Sequence, residues 1–260
     1  MKKFIANVKK YKSYMLYSAK ATLKGEVANS RLNWLWWILD PVLFMLVYTF
    51  VSLVVFGKGE KYFPVFVFIG LNMWDFFNRT VTRSVRAVKR NKGMIAKVYL
   101  PKYILVITTM LVNGFKMCVA FLLVVIMIPI YHVPITFHIV ELIPVFIVLL
   151  LLTFGCSCIV LNFGVFFDDI ANIITVFLKL VFYMTGIFYN IVTRVPEPYN
   201  KLLLHCNPMA GLVQSARNCI LYESSPYYLS LGVWFVISVL TCVIGVGLIS
   251  KYENTYVKVI

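Results

Sequence analysis

The chain has 260 residues, 61% hydrophobic and 13% charged, with a formal net charge of +15, whereas soluble domains hold roughly 45–50% apolar and about 25% charged residues. That composition excludes a water-solvated globule and points to one all-α bundle embedded in lipid. The cations flank apolar stretches instead of forming a patch of their own, which argues for topology and anionic lipid and against nucleic acid.

In chain order, residues 1–33 come first. Phe4, Val8, Tyr11, Met15, Ala19, Leu23 and Val27 recur every three or four positions, with most of the lysines beside them. This stripe predicts an amphipathic helix lying in the cytoplasmic interface. The charges of the same stretch leave no apolar core early enough for a cleaved secretory signal. Gly25 and Asn29-Ser30 break or cap the helix, and Trp34, Trp36 and Trp37 mark the headgroup level.

A bilayer core of about 30 Å takes roughly 20 apolar residues in a helix. Candidate spans fall at Trp34–Phe56, Phe63–Val85, Tyr103–Tyr131, Ile139–Phe167, Ile170–Val192 and Tyr227–Ser250, so residues 34–250 read as a six-helix membrane domain with a tail at 251–260. Loops rich in Lys and Arg stay on the cytoplasmic side. Eight cations lie in residues 1–33, eight in 79–102 and two in 251–260, against Lys58, Lys61, Arg194, Lys201 and Arg217 on the other side. Both termini are therefore expected in the cytoplasm of a cytoplasmic-membrane protein.

Within the loop 86–102, the run Asn91–Val98 predicts a short helix that Pro101 terminates, since proline lacks the donor to continue it. It mixes apolar and charged side chains, which suits docking of a soluble partner as well as a topogenic loop. The segment 193–226 is too polar to span. Pro196, Pro198 and Pro208 punctuate it and Ala210–Leu221 is helical in pattern, so short re-entrant helices at the outer leaflet are expected there.

Charges inside spans cost at least ~2.5–3.5 kcal/mol on insertion scales. Asp75, Lys116 and Lys179 sit near the middles of the second, third and fifth spans, and each is expected to face protein or water. Asp75 can pair with Lys116 or, one turn on, with Arg79. Cys206 and Cys219 share one outer loop and leave a disulfide open, without a spacing that demands it. No metal-type spacing and no nucleophile–base pattern stand out, and the chain holds no Gly-x-x-x-x-Gly-Lys-Ser/Thr phosphate loop. The pair Asp168-Asp169, with Asn172, keeps a membrane prenyl-diphosphate transferase as an alternative; helix N-terminal charge is the simpler account of the same carboxylates.

Several stretches together carry a family resemblance. Leu23-Lys24 through Asn29-Ser30-Arg31-Leu32, followed by Trp36-Trp37-Ile38-Leu39-Asp40-Pro41, resembles the approach to the first span in permease subunits of type-2 ABC exporters for polysaccharide, O-antigen and teichoic acid. Asn91–Lys102 is similar to that family's coupling helix, and Phe167-Asp168-Asp169-Ile170, Phe182–Tyr189, Val195-Pro196 and Asn207-Pro208-Met209 follow in family order. Asn33, Asp168 and Gly186 stand where the family usually has Gly, Arg and Pro.

The resemblance implies a homodimer of permeases in the membrane, two nucleotide-binding ATPase subunits beneath it, and a lipid-linked glycopolymer as cargo. ATP and Mg would then belong to the partner, with no cofactor in this chain. It also implies that Asn91, Lys92, Met94, Ile95, Lys97 and Val98 receive the ATPase's movement. Flat aromatic rings suit a sugar conduit, which makes Trp34, Trp37 and Tyr48 on the first span and Phe182, Tyr183 and Tyr189 on the fifth the candidate channel residues. Arg31, Lys116 and Lys179 are the candidates for contact with a lipid diphosphate. A permease for a small drug or lipid shares the six-span layout and remains the nearest rival.

Overall fold

Apolar helices that satisfy their own backbone are the form this composition favours, and a computed structural model describes residues 2–28, 33–51 and 60–259 in that form. The helices are α1 (Lys2–Lys10), α2 (Lys12–Ala28), α3 (Asn33–Phe50), α4 (Phe63–Val85), α5 (Ala87–Arg90), α6 (Lys92–Ile95), α7 (Tyr103–Ile130), α8 (Leu142–Phe166), α9 (Ile170–Met184), α10 (Ile191–Arg194), α11 (Tyr199–Cys206), α12 (Pro208–Leu221) and α13 (Tyr228–Val259). A 3₁₀ turn, Phe137–Glu141, precedes α8, and there is no strand among the described residues.

Among the described residues, three stretches, Tyr103–Ile130, Phe137–Phe166 and Tyr228–Glu253, are long and apolar enough to cross a membrane. The other three predicted spans are helical but differ in kind. Helix α4 has 23 residues yet carries Asn72, Asp75, Arg79 and Arg83, and most of it is buried among its neighbours. Helix α3 is described only as far as Phe50, and the rest of the predicted first span lies largely outside the described residues. The fifth stretch stops as a helix at Met184, eight residues before the predicted end, because Gly186 adopts φ +66° and turns the chain. That left-handed conformation strains any side chain.

Helix α4 is the hub, touching α3, α7, α8, α9 and α12. Phe66, Val67, Phe68, Ile69 and Met73 on it have no exposure at all. Helices α8 and α13 form the longest pairing, and small residues let them close. A Cβ added at Gly155 would lie 2.5 Å from Thr241 Oγ1, and one at Gly245 would lie 2.7 Å from Cys158 Cβ. Close approach through glycine is how helices pack where water supplies no driving force.

The N-terminal stripe is turned onto the protein. Met15 and Ala19 are buried, and Phe4, Val8, Tyr11 and Leu23 are half-buried. Met15 joins a core with Ala87, Val88, Ile95, Tyr103 and Ile104. Phe4 packs 5.0 Å from the ring of Tyr103, and the Asn7 amide donates to Tyr103 Oη at 2.8 Å. The side chain of Val27 lies outside the described residues.

Residues 193–226 fold more deeply than a surface loop. Asn207 caps α12, accepting from the backbone N–H groups of Met209 and Ala210 at 3.1 and 3.3 Å, and Pro208 fills the first helical position, where its missing N–H costs nothing. From Met209 to Leu221 every residue of α12 is buried. Cys206 is exposed and Cys219 buried, and both are free thiols, so the disulfide left open by the sequence is not formed.

Candidate functional site

Two adjoining clefts open along α3 and α4 and share Asp40, Pro41, Asp75 and Arg79. The first, about 440 Å³, is bounded by α2, α3, α4 and α7 and is lined by Glu26, Trp36, Trp37, Asp75, Arg79, Arg83 and Lys116. The second, about 420 Å³, lies between α3, α4 and α9 and is lined by Tyr48, Trp74, Asn78, Lys179, Phe182, Tyr183 and Phe188. The first is richer in paired charges and the second in aromatic rings, and Pro41 borders both.

The charged cleft is organised by pairs. Asp75 Oδ2 accepts from Arg79 Nη2 at 3.0 Å and from Nε at 3.2 Å, one turn along α4. Lys116 pairs instead with Glu26 on α2, and the second oxygen of the same carboxylate accepts from Arg83 Nη1 at 3.2 Å. Of the two partners open to Asp75, the structure therefore selects Arg79. Lys116 Nζ also lies 5.2 Å from the centre of the Trp37 ring, a cation–π arrangement. Partial burial alone would raise the Glu26 pKa, but the hydrogen bond and charge of Lys116, joined by Arg83, hold it below its ordinary value. Glu26 remains ionised at neutral pH.

The aromatic cleft is a chain of rings. Tyr48 and Phe188 stack at 3.5 Å with planes 18° apart, Phe188 meets Phe182 at 5.4 Å, and Phe182 meets Trp74 at 5.4 Å. Lys179 is exposed at its edge. Tyr189 does not line the cleft: its hydroxyl donates to the Tyr183 carbonyl at 2.9 Å and closes the turn after α9. The side chain of Trp34 and all of Arg31 lie outside the described residues.

The loop 91–98 forms a single helical turn at α6, shorter than the predicted helix. Ile95 is buried and Met94 half-buried, its sulfur accepting from Tyr14 Oη at 3.1 Å. Asn91 is half-buried and donates to the Ala87 carbonyl at 2.7 Å. Lys92, Lys97 and Val98 face outward, continued by Tyr99. The loop is anchored at both ends: Lys89 pairs with Asp168, whose carboxyl it holds below the ordinary value, while Tyr99 Oη and Lys102 Nζ reach Glu253 at 3.1 and 3.4 Å. Asp168 thus serves an ion pair, and no group of three or more acidic, His or Cys side chains fit to hold a metal occurs among the described residues.

Sequence reasoning missed Glu26, Glu253 and Arg217. Glu26 is the single acidic residue before Asp40, a signal visible in the chain. Arg217, an outer-loop cation by its place in the sequence, is fully buried, donating to the carbonyls of Phe66, Gly186 and Ile187 at 3.1, 2.8 and 2.9 Å. An arginine amid an otherwise uncharged Ala210–Leu221 helix was its only mark.

No family model matches the chain. It is 28% identical over 223 residues to the O-antigen export system permease protein RfbA of Myxococcus xanthus, covering 86% of this chain and 85% of that protein. RfbA of Klebsiella pneumoniae is 25% identical, covering 92% of this chain and 91% of its own length. The polysialic acid transport protein KpsM of Escherichia coli is 24% identical, covering 89% and 90%. These relatives are transport proteins, which removes the ground for the transferase alternative. The apolar helices and matches over most of the chain agree: the chain is a multi-pass membrane protein similar along most of its length to O-antigen export permeases and to a polysialic acid transport protein.

Proposed function

We propose that two copies of this chain form the membrane path of an ATP-driven exporter that moves a lipid-linked cell-surface polysaccharide outward across the cytoplasmic membrane. The observation that carries the reading is the row of rings from Tyr48 through Phe188 and Phe182 to Trp74, set beside a charged cleft. Sugar ring faces slide over such surfaces, while a charged neighbour suits the phosphate that joins glycan to lipid. Relatives that export O-antigen and transport polysialic acid support the cargo class.

Outward-facing Leu43, Phe44, Val47 and Phe50 on α3, with Val176, Phe177, Leu180 and Met184 on α9, flank the aromatic cleft. A second copy against these faces would close it into a conduit. In this reading the chain crosses six times, the cation distribution favours both termini in the cytoplasm, and helix α4, though charged, lies sheltered inside the bundle. The ATPase partner docks on Lys92, Lys97, Val98 and Tyr99; Met94 and Ile95 transmit its push inward to α2 and α7. A conduit of this kind works by having two arrangements whose balance nucleotide shifts.

The test is co-purification and export together. The tagged chain, expressed in its native host, should bring down an ATPase subunit as a dimeric complex, and its depletion should leave lipid-linked glycan in the cytoplasmic leaflet. Normal surface glycan after depletion would overturn the proposal.

A further inference from the structure

We infer that the charged cleft is the seat of a phosphate-bearing headgroup, and that Glu26 is an internal counter-ion occupying this seat until the headgroup displaces it. The inference deepens the polysaccharide-export reading and rests on it. Its ground is the geometry of one carboxylate. Glu26 comes from α2, and its two oxygens are taken by cations from two other helices, Arg83 of α4 and Lys116 of α7. Two basic groups converging from separate elements on one anionic point is the arrangement a phosphate ester requires, and a guanidinium serves such an oxygen pair well.

The remaining charges sharpen the point. Arg79 is already bound to Asp75, so among the described residues Arg83 and Lys116 have Glu26 as their one acidic partner. With Glu26 seated, the three cations Arg79, Arg83 and Lys116 balance the three carboxylates Glu26, Asp40 and Asp75 on the lining, so withdrawal of Glu26 leaves one net positive charge for an anionic headgroup. A singly charged carboxylate is a weak rival to a diphosphate at two cations. Glu26 and Arg83 keep 25% and 34% of their side chains exposed, so the site is reachable.

Exchange is also mechanically easy. Glu26 stands in the last turn of α2, directly after Gly25, which has open space around it and weakens the helix locally. Release of the carboxylate would free the end of α2 from α4 and α7, so cargo binding and movement of the N-terminal helix become one event. Trp37, over Lys116, sits where it would sense the exchange.

The experiment uses the full-length chain with its ATPase subunits in phosphatidylcholine nanodiscs, reading tryptophan fluorescence against added polyprenyl diphosphate, inorganic pyrophosphate and uncharged polyprenol. Trp37→Phe identifies the responding signal. Glu26→Gln should tighten polyprenyl diphosphate binding about fivefold, and Arg83→Gln or Lys116→Gln should weaken it about tenfold. Polyprenol should not bind measurably. Unchanged or weaker binding by Glu26→Gln overturns the counter-ion role. Equal affinity for inorganic pyrophosphate overturns the lipid source and assigns the seat to free phosphate. Should Glu26→Gln not assemble, Glu26→Asp carries the same test, since its shorter reach loosens both pairs. Scoring glycan export on the same variants separates the two readings: unchanged affinity with normal export sinks this inference alone, while headgroup binding without any glycan export sinks the proposed function.

Discussion

The guanidinium carbon of Arg217 lies 3.4 Å from the centre of the Phe66 ring, and its nitrogens bind the carbonyls of Phe66, Gly186 and Ile187. One side chain on α12 thereby holds α4 and the turn after α9. The two turn carbonyls lose a strong charged donor if it is removed, each at a cost of about 1–3 kcal/mol. Arg217→Met should therefore lower the melting midpoint of the purified protein and reduce its yield. Arg217→Lys should lose nearly as much, because an ammonium cannot reproduce the fork that reaches three carbonyls on two elements. A melting midpoint equal to wild type would show that the cradle contributes nothing.

The stack of Tyr48 on Phe188 leads to a different expectation. Its rings belong to α3 and to the turn beyond α9, so they can part and re-form without unfolding either element. Tyr48→Ala should slow glycan export severalfold with near-normal amounts of assembled complex, while Tyr48→Phe, which keeps the flat face, should export normally. The amount of complex in the membrane and surface glycan are the two readouts. A parallel fall of both in Tyr48→Ala would assign the ring to packing.

In the loop 91–98, burial decides which substitutions report on docking. Ile95 sits in the core with Met15 and Tyr103, so Ile95→Asp buries a charge and should destabilise the cytoplasmic end by about 3 kcal/mol. Lys97→Asp combined with Val98→Asp changes only the outward face. That double variant should lose the ATPase on purification with an unchanged melting midpoint. Retention of the ATPase would move the docking surface elsewhere.

Sequence reasoning read the helical class well because that class rests on local periodicity. Met15 and Ala19 on the N-terminal stripe, and Pro208 opening α12, are local facts of that kind. Partner choice is not local. Lys116 was expected to have Asp75 within reach, yet Glu26, ninety residues away in sequence, takes it. Arg217 in a polar-flanked loop reads as a solvent-side cation until α12 folds inward. The left-handed turn at Gly186 offers its carbonyl to Arg217, a long-range contact that no span-length argument contains.

Glu253 binds the loop to the end of α13 through Tyr99 and Lys102, whose side chain is only 3% exposed. Removing one partner of a buried pair leaves a desolvated charge behind, typically at about 3–5 kcal/mol. Glu253→Gln should raise hydrogen exchange in residues 96–102 and leave α8 protected; unchanged exchange there would show that the tie is idle.

The Glu26 tie should respond to acid with a definite sign. Its carboxyl is held below its ordinary pKa, so the stabilisation it gives is complete at and above neutral pH and disappears as pH falls through that lowered value. Hydrogen exchange in α2, corrected for intrinsic rates, should stay flat from pH 8 to about pH 5 and rise only below the ordinary carboxylate range. Glu26→Gln should show raised exchange at every pH and lose the acid step, because an amide holds no charge to surrender. If the acid step persists in Glu26→Gln, another carboxylate secures α2. Asp40 and Asp75 on the same cleft are then the groups to replace.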